Sequence, residues 1–103
     1  MMKTDYYSLG PSKVMTATTA STRTTLPKLS ADLSTSPRLV LLTCTEPVHV
    51  RLGNVTVTAT LSDPLMPAEE SWTVWAHGFT DIAVIEPVGG TSTLLQITAL
   101  ENE

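Results

Sequence analysis

Apolar and polar residues alternate along much of this chain, and the alternation is cleanest from Val48 to Thr60, VHVRLGNVTVTAT. Folded at Gly53-Asn54 as a two-residue loop, this stretch sets Leu52 across from Val55, Val50 from Val57 and Val48 from Ala59. Arg51 then faces Thr56, and His49 faces Thr58. All the apolar residues share one face, and a glycine in the first loop position accepts the positive φ of a type II′ turn. The pattern predicts a β-hairpin, because a one-residue slip would turn its apolar set to water.

The same rhythm predicts strands on either side. Lys13 to Leu26, KVMTATTASTRTTL, is small and β-prone and reads as one strand, bulged near Ser21, that Pro27 stops. PKLSADLSTSP follows as a long connection with a helical turn at Ser30 to Leu33. Arg38 to Thr45, RLVLLTCT, is apolar on both faces, with Leu39 and Leu41 on one and Val40, Leu42 and Cys44 on the other. Such a strand needs cover from two sides, from its own chain or from a partner. Pro64 and Pro67 make residues 61–70 a loop. Ser71 to Ala76 then puts Trp72, Val74 and Ala76 on one face and Thr73 and Trp75 on the other, with His77 continuing the latter. Asp81 to Glu86 and Thr91 to Leu100 complete the set after turns at His77-Gly78 and Gly89-Gly90.

About seven strands at spacings of about eight to twelve residues predict an all-β fold, an antiparallel β-sandwich of jelly-roll-like form. Residues 1–12, with the Gly10-Pro11 breaker and the Tyr6-Tyr7 pair, read as an N-terminal arm, and residues 13–103 as a single domain. A chain of 103 residues buries roughly two thirds of its unfolded surface, enough for one modest core. Threonine is the commonest residue, which agrees with pleated strands.

Charge narrows the partners. A net charge of −4 with scattered basic residues argues against nucleic acid, whose binding needs clustered Lys and Arg. No apolar run approaches the roughly eighteen residues of a membrane helix, so no membrane partner is expected. One cysteine, Cys44, allows neither an internal disulfide nor a cysteine-based zinc cage.

Candidate chemistry is sparse. His49 and His77 are predicted on outward faces without further ligands, so no metal is expected. Glu69-Glu70 and Asp63 read as solvated loop charges, and Cys44, within an apolar strand, as an inert thiol. No nucleophile elbow, P-loop or dinucleotide fingerprint occurs, and Asn54-Val55-Thr56 matches the glycosylation pattern only by coincidence in a tight loop. We therefore expect no enzyme, no catalytic residue and no cofactor. Large apolar side chains expected on outer faces mark an interface instead: Trp75 first, with Val40, Leu42 and Ile85, and the arm tyrosines Tyr6 and Tyr7 docking on a neighbour.

From Arg38 onward the order of motifs is an apolar strand, PVHVRLG, VTVTAT, a Pro-containing loop, SWTVWAHGFTDIAVI, a Gly-Gly turn and TLLQIT with an acidic end. This resembles small β-sandwich virion proteins of tailed bacteriophages, the head-associated or decoration-type components. Leu52-Gly53, Pro64 to Glu70, Gly78 to Ala83 and Leu94 to Thr98 carry the likeness. Trp75 departs from it where such sequences more often turn with Pro, as do Leu100 and Asn102 at a Gly-rich end. The resemblance implies a structural protein of the virion that binds the outer capsid surface, with the major capsid protein or other virion proteins as partners. It supplies no catalytic residue. The two-sided strand at Arg38 to Thr45 adds the expectation of a homo-oligomer such as a trimer. The rival readings are a carbohydrate-binding module using a surface tryptophan, a tail or head–tail junction component, and a cupin-type enzyme, the last short of metal ligands.

Overall fold

The computed structural model describes residues 7–29, 37–90 and 92–102. The fold is a sandwich of two four-stranded antiparallel sheets built from eight strands. In chain order these are β1 (Tyr7–Ala17), β2 (Thr22–Thr25), β3 (Leu39–Cys44), β4 (Val48–Gly53), β5 (Leu65–Met66), β6 (Ser71–Trp75), β7 (Asp81–Ile85) and β8 (Thr93–Asn102). The first sheet runs β1-β8-β3-β6 and the second β2-β7-β4-β5. The predicted helical turn at Ser30 to Leu33 lies outside the described residues.

The pairings are nested. β4 pairs with β5, β3 with β6, β2 with β7 and β1 with β8, every pair antiparallel. The chain is thus a long two-stranded ribbon closed between β4 and β5 and rolled up, and the pairs β3·β8 and β4·β7 seal the roll. Strand alternation supplies the core: Met15, Val40, Leu42, Leu95 and Ile97 from the first sheet meet Val48, Val50, Met66, Ile82 and Val84 from the second. Trp72 and Val74 pack against its edge.

The predicted hairpin at Gly53-Asn54 does not form. Val50 pairs with Val84 rather than Val57, and Leu52 with Ile82 rather than Val55. β4 has two hydrogen-bonding edges, and β7 and β5 occupy them, so residues 55–60 have no ladder to join. They form a loop over the outer face of the second sheet. Val57 lies against Gly53, where an added Cβ would stand 2.7 Å from Val57 Cγ2, and the Ala59 N–H donates to Ser21 Oγ at 2.8 Å. The reversal comes later, where Val48 faces Met66.

The N-terminal region differs too. The expected single strand from Lys13 to Leu26 is two strands in different sheets, with the corner at residues 18–21. β1 begins at Tyr7, within the expected arm, and Gly10-Pro11 is absorbed as a bulge between Leu9 and Ser12 instead of breaking the strand. β1 is an edge strand, where a proline without an N–H removes no ladder bond. The two late turns form where glycines were expected to make them. Phe79 N–H bonds Ala76 O and Gly90 N–H bonds Pro87 O, with Gly78 at φ 89 and Gly89 at φ 78, the third positions of type II turns.

Candidate functional site

The first sheet carries an apolar row on its outer face. Leu9 of β1 faces Leu100 of β8, Leu100 faces Leu39 of β3, and Leu39 faces Trp75 of β6. The row crosses all four strands at one level of the sheet. Its ends are open to solvent, Leu9 at 71% and Trp75 at 61% exposure, and Leu39 and Leu100 between them are half-buried. The next level along holds Ser12, Thr98, Leu41 and Thr73, so Leu41 widens the row beside Leu39 and the rest of that level is polar; the level after it holds Val14, Gln96, Thr43 and Ser71, where Val14 is again exposed. Ser12, Thr98 and Gln96 knit that polar border together, with Ser12 Oγ 3.1 Å from Thr98 Oγ1 and Gln96 Nε2 donating to Ser12 Oγ at 2.9 Å. Beside the Trp75 indole the His77 ring stands 5.7 Å away, tilted by 50°. A contiguous line of large apolar side chains with a polar rim has the anatomy of a contact surface.

The residues singled out from the sequence do not gather in one place. Trp75 lies in the row. Val40 and Leu42 are in the core at 0% exposure, covered by the second sheet of this same chain, and so offer no surface to a partner. The other side of that strand, Leu39 and Leu41, is the side that faces out. Ile85 is half-buried on the outer face of the second sheet, across from His49 and remote from the row. Tyr7 opens β1 opposite Asn102, and Tyr6 lies outside the described residues. Leu9, Leu39 and Leu100 were not predicted as surface partners of Trp75. Outward parity was readable for Leu39, but only the register of β1, β8, β3 and β6 sets the four on one line.

The titratable groups are spread over the sandwich. His49, expected to face solvent, is buried under the loop that precedes β5, where its Nδ1–H donates to the Asp63 carbonyl at 2.8 Å. His77 is exposed. Asp63 ties that loop together, accepting from Thr60 N–H at 2.7 Å and from Arg51 at 3.4 Å. Asp81, 2% exposed, accepts from Arg23 Nη1 at 2.5 Å and Thr80 Oγ1 at 2.6 Å. Burial, followed by the nearby Glu46 charge, pushes the Cys44 thiol up from its ordinary value, and its Sγ lies 3.2 Å from the Pro67 carbonyl. Such a thiol is a poor nucleophile. Glu86 is 7% exposed, and its Oε2 is buried without a partner at the end of β7. Glu46, Pro47 and the Pro87–Gly90 turn line a shallow surface depression. Among the described residues, no three His, Cys, Asp or Glu side chains converge to hold a metal ion.

What this arrangement can do is present a stiff, pre-formed apolar strip. Its side chains stand on four paired strands, so little conformational freedom is lost when something is laid against them. Set against protein-family models, curated proteins and solved structures, the chain matches none of them.

Proposed function

We propose that the protein is a non-enzymatic structural component of a bacteriophage virion, a capsid decoration or cement protein that binds the outer capsid surface and stabilises the head. The apolar row Leu9, Leu100, Leu39 and Trp75 is the observation that carries this reading, with the row as the face that meets the major capsid protein. Its support is threefold. The row spans all four strands and is open at both ends, the motif order from Arg38 onward resembles virion β-sandwich proteins, and the fold is a sandwich of two four-stranded antiparallel sheets, the fold class that this resemblance implies. A rigid sandwich repeated over a shell makes a modest contact area effective, because each copy docks without ordering cost and neighbouring subunits are tied together.

Co-sedimentation with purified capsid shells lacking the protein tests the reading. The wild-type chain is expected to pellet with shells and to raise the temperature at which they break. A chain that stays in the supernatant at every ratio overturns the capsid role, and one that pellets with tails instead moves it to the tail or head–tail junction.

The exposure of Trp75 favours one second reading, a carbohydrate-binding module. Sugar rings stack on aromatic faces but also need polar partners beside them. The in-register neighbour of Trp75 is Leu39, so the surroundings suit a protein surface better. Quenching of tryptophan fluorescence by a glycan would favour the module.

A further inference from the structure

The four sheet edges are unequal, and the inequality singles out β6. A free edge is a template for another strand, and proteins blunt edges with charges, prolines, bulges or brevity. β1 carries the Gly10-Pro11 bulge and Lys13, whose Nζ bonds Thr25 Oγ1. β2 is four residues long and bears Arg23. β5 is two residues long between Pro64 and Pro67. β6, Ser-Trp-Thr-Val-Trp, has no charge, proline, glycine or bulge, and among the described residues no strand pairs with its outer side.

The backbone of β6 is set for pairing. Ala76 N–H donates to Arg38 O at 2.6 Å, so by the alternation of an antiparallel ladder Val74 and Trp72 also turn their amides toward β3. Ser71, Thr73 and Trp75 turn theirs away. The charges flanking the strand have a direction as well. Exposed Glu69 and Glu70 precede β6, while exposed Arg38 sits at its far end, across from Ala76 and beside the exposed His77.

We infer that two copies of this chain pair edge to edge through β6, antiparallel about a two-fold axis at Thr73. Thr73 then faces Thr73 of the second copy, and Ser71 faces the second copy's Trp75, so the outward amides and carbonyls satisfy one another. The acidic start of each strand meets the basic end of the other, twice over, whereas a parallel pairing would set like charge against like. The two outer faces join into one surface with an apolar row at each end. The inference stands on the sheet edge and is independent of the capsid role.

Sedimentation of the full chain over a concentration series tests it. The wild type is expected to form a dimer that weakens as salt rises, since exposed charges are screened within about 10 Å at 0.1 M salt. Thr73→Pro removes the central outward N–H and is expected to leave a monomer with unchanged strand content by circular dichroism. Two charge variants test the pairing without touching the strand. Glu69→Lys with Glu70→Lys, and Arg38→Glu with His77→Glu, are each expected to be monomeric alone and to form a heterodimer when mixed. A wild type that stays monomeric throughout, a dimer that survives Thr73→Pro in a folded chain, or charge variants that fail to combine would overturn the inference.

Discussion

Leu39 of β3 stands directly across from Trp75 of β6 on the outer face of the first sheet. The pair joins a half-buried leucine to a tryptophan that is mostly open to solvent, so its stability cost and its contact value separate. Trp75→Ser is expected to change the unfolding free energy by no more than about 0.5 kcal/mol, as surface substitutions usually do. Trp72→Ala, on the core side of the same strand, is expected to cost about 3 kcal/mol. Urea unfolding of the two variants measures the difference, and a larger cost for Trp75→Ser than for Trp72→Ala would mean that the faces of β6 are assigned the wrong way round.

Gly53 and Val57 give a second test. An added Cβ at Gly53 would meet Val57 Cγ2 at 2.7 Å, closer than real Cβ atoms approach. Gly53→Ala is expected to destabilise the fold by roughly 1–3 kcal/mol through overpacking. Adding Val57→Ala is expected to recover part of that loss, because it removes the atom that clashes. A double-mutant cycle reads the coupling, and additive effects would contradict the packing of this loop on the second sheet.

The Arg23–Asp81 pair is asymmetric, since the Asp81 side chain is 3% exposed and that of Arg23 38%. Removing the arginine leaves a buried carboxylate held, among the described side chains, by Thr80. Arg23→Ala is expected to cost roughly 1–3 kcal/mol, discounted for the exposed guanidinium. Asp81→Asn keeps one acceptor oxygen for Arg23 and turns the other position into an NH2 that can donate to Thr80 Oγ1, and is expected to cost about 1 kcal/mol. Thermal unfolding that ranks the two the other way would contradict the burial of Asp81.

The raised Cys44 thiol gives the stability a pH dependence of definite sign. Burial disfavours the thiolate in the folded chain, so the unfolded chain loses its thiol proton first as pH rises. The stabilisation is full below the ordinary thiol value, roughly 8.5, and is lost as pH climbs from there through the higher folded value. Cys44→Ala is expected to lack this alkaline slope, measured as denaturation midpoints from neutral to alkaline pH. Alkylation by iodoacetamide is also expected to be slow until the chain unfolds, and rapid labelling of the native protein would contradict the burial.

Within-strand parity could be read from the residues, and pairing across strands could not. Trp72 and Trp75 fall on opposite faces of β6, and Val40 and Leu42 share one face of β3, because alternation depends on a strand's own residues alone. Turns with a glycine at positive φ, at Gly78 and Gly89, were equally local. The hairpin failed because the VTVTAT alternation says only that Val57 and Ala59 share a side; it does not say whether that side meets a ladder or the outside of a sheet. The partners that exclude residues 55–60 from β4 are β5 on one edge and β7 on the other, both later in the chain, and no local rule announces them. The contact surface has the same origin. Leu9, Leu100, Leu39 and Trp75 come from four separate segments, and only the nested pairing lines them up.

The most direct measurement of whether that line of side chains is the working face is the emission of Trp75 in a chain whose other tryptophan is replaced by Trp72→Phe. With capsid shells added, the account predicts a blue shift as the indole leaves water, in step with the fraction of protein that pellets. Protein that pellets with the shells while Trp75 emission stays unchanged would contradict it.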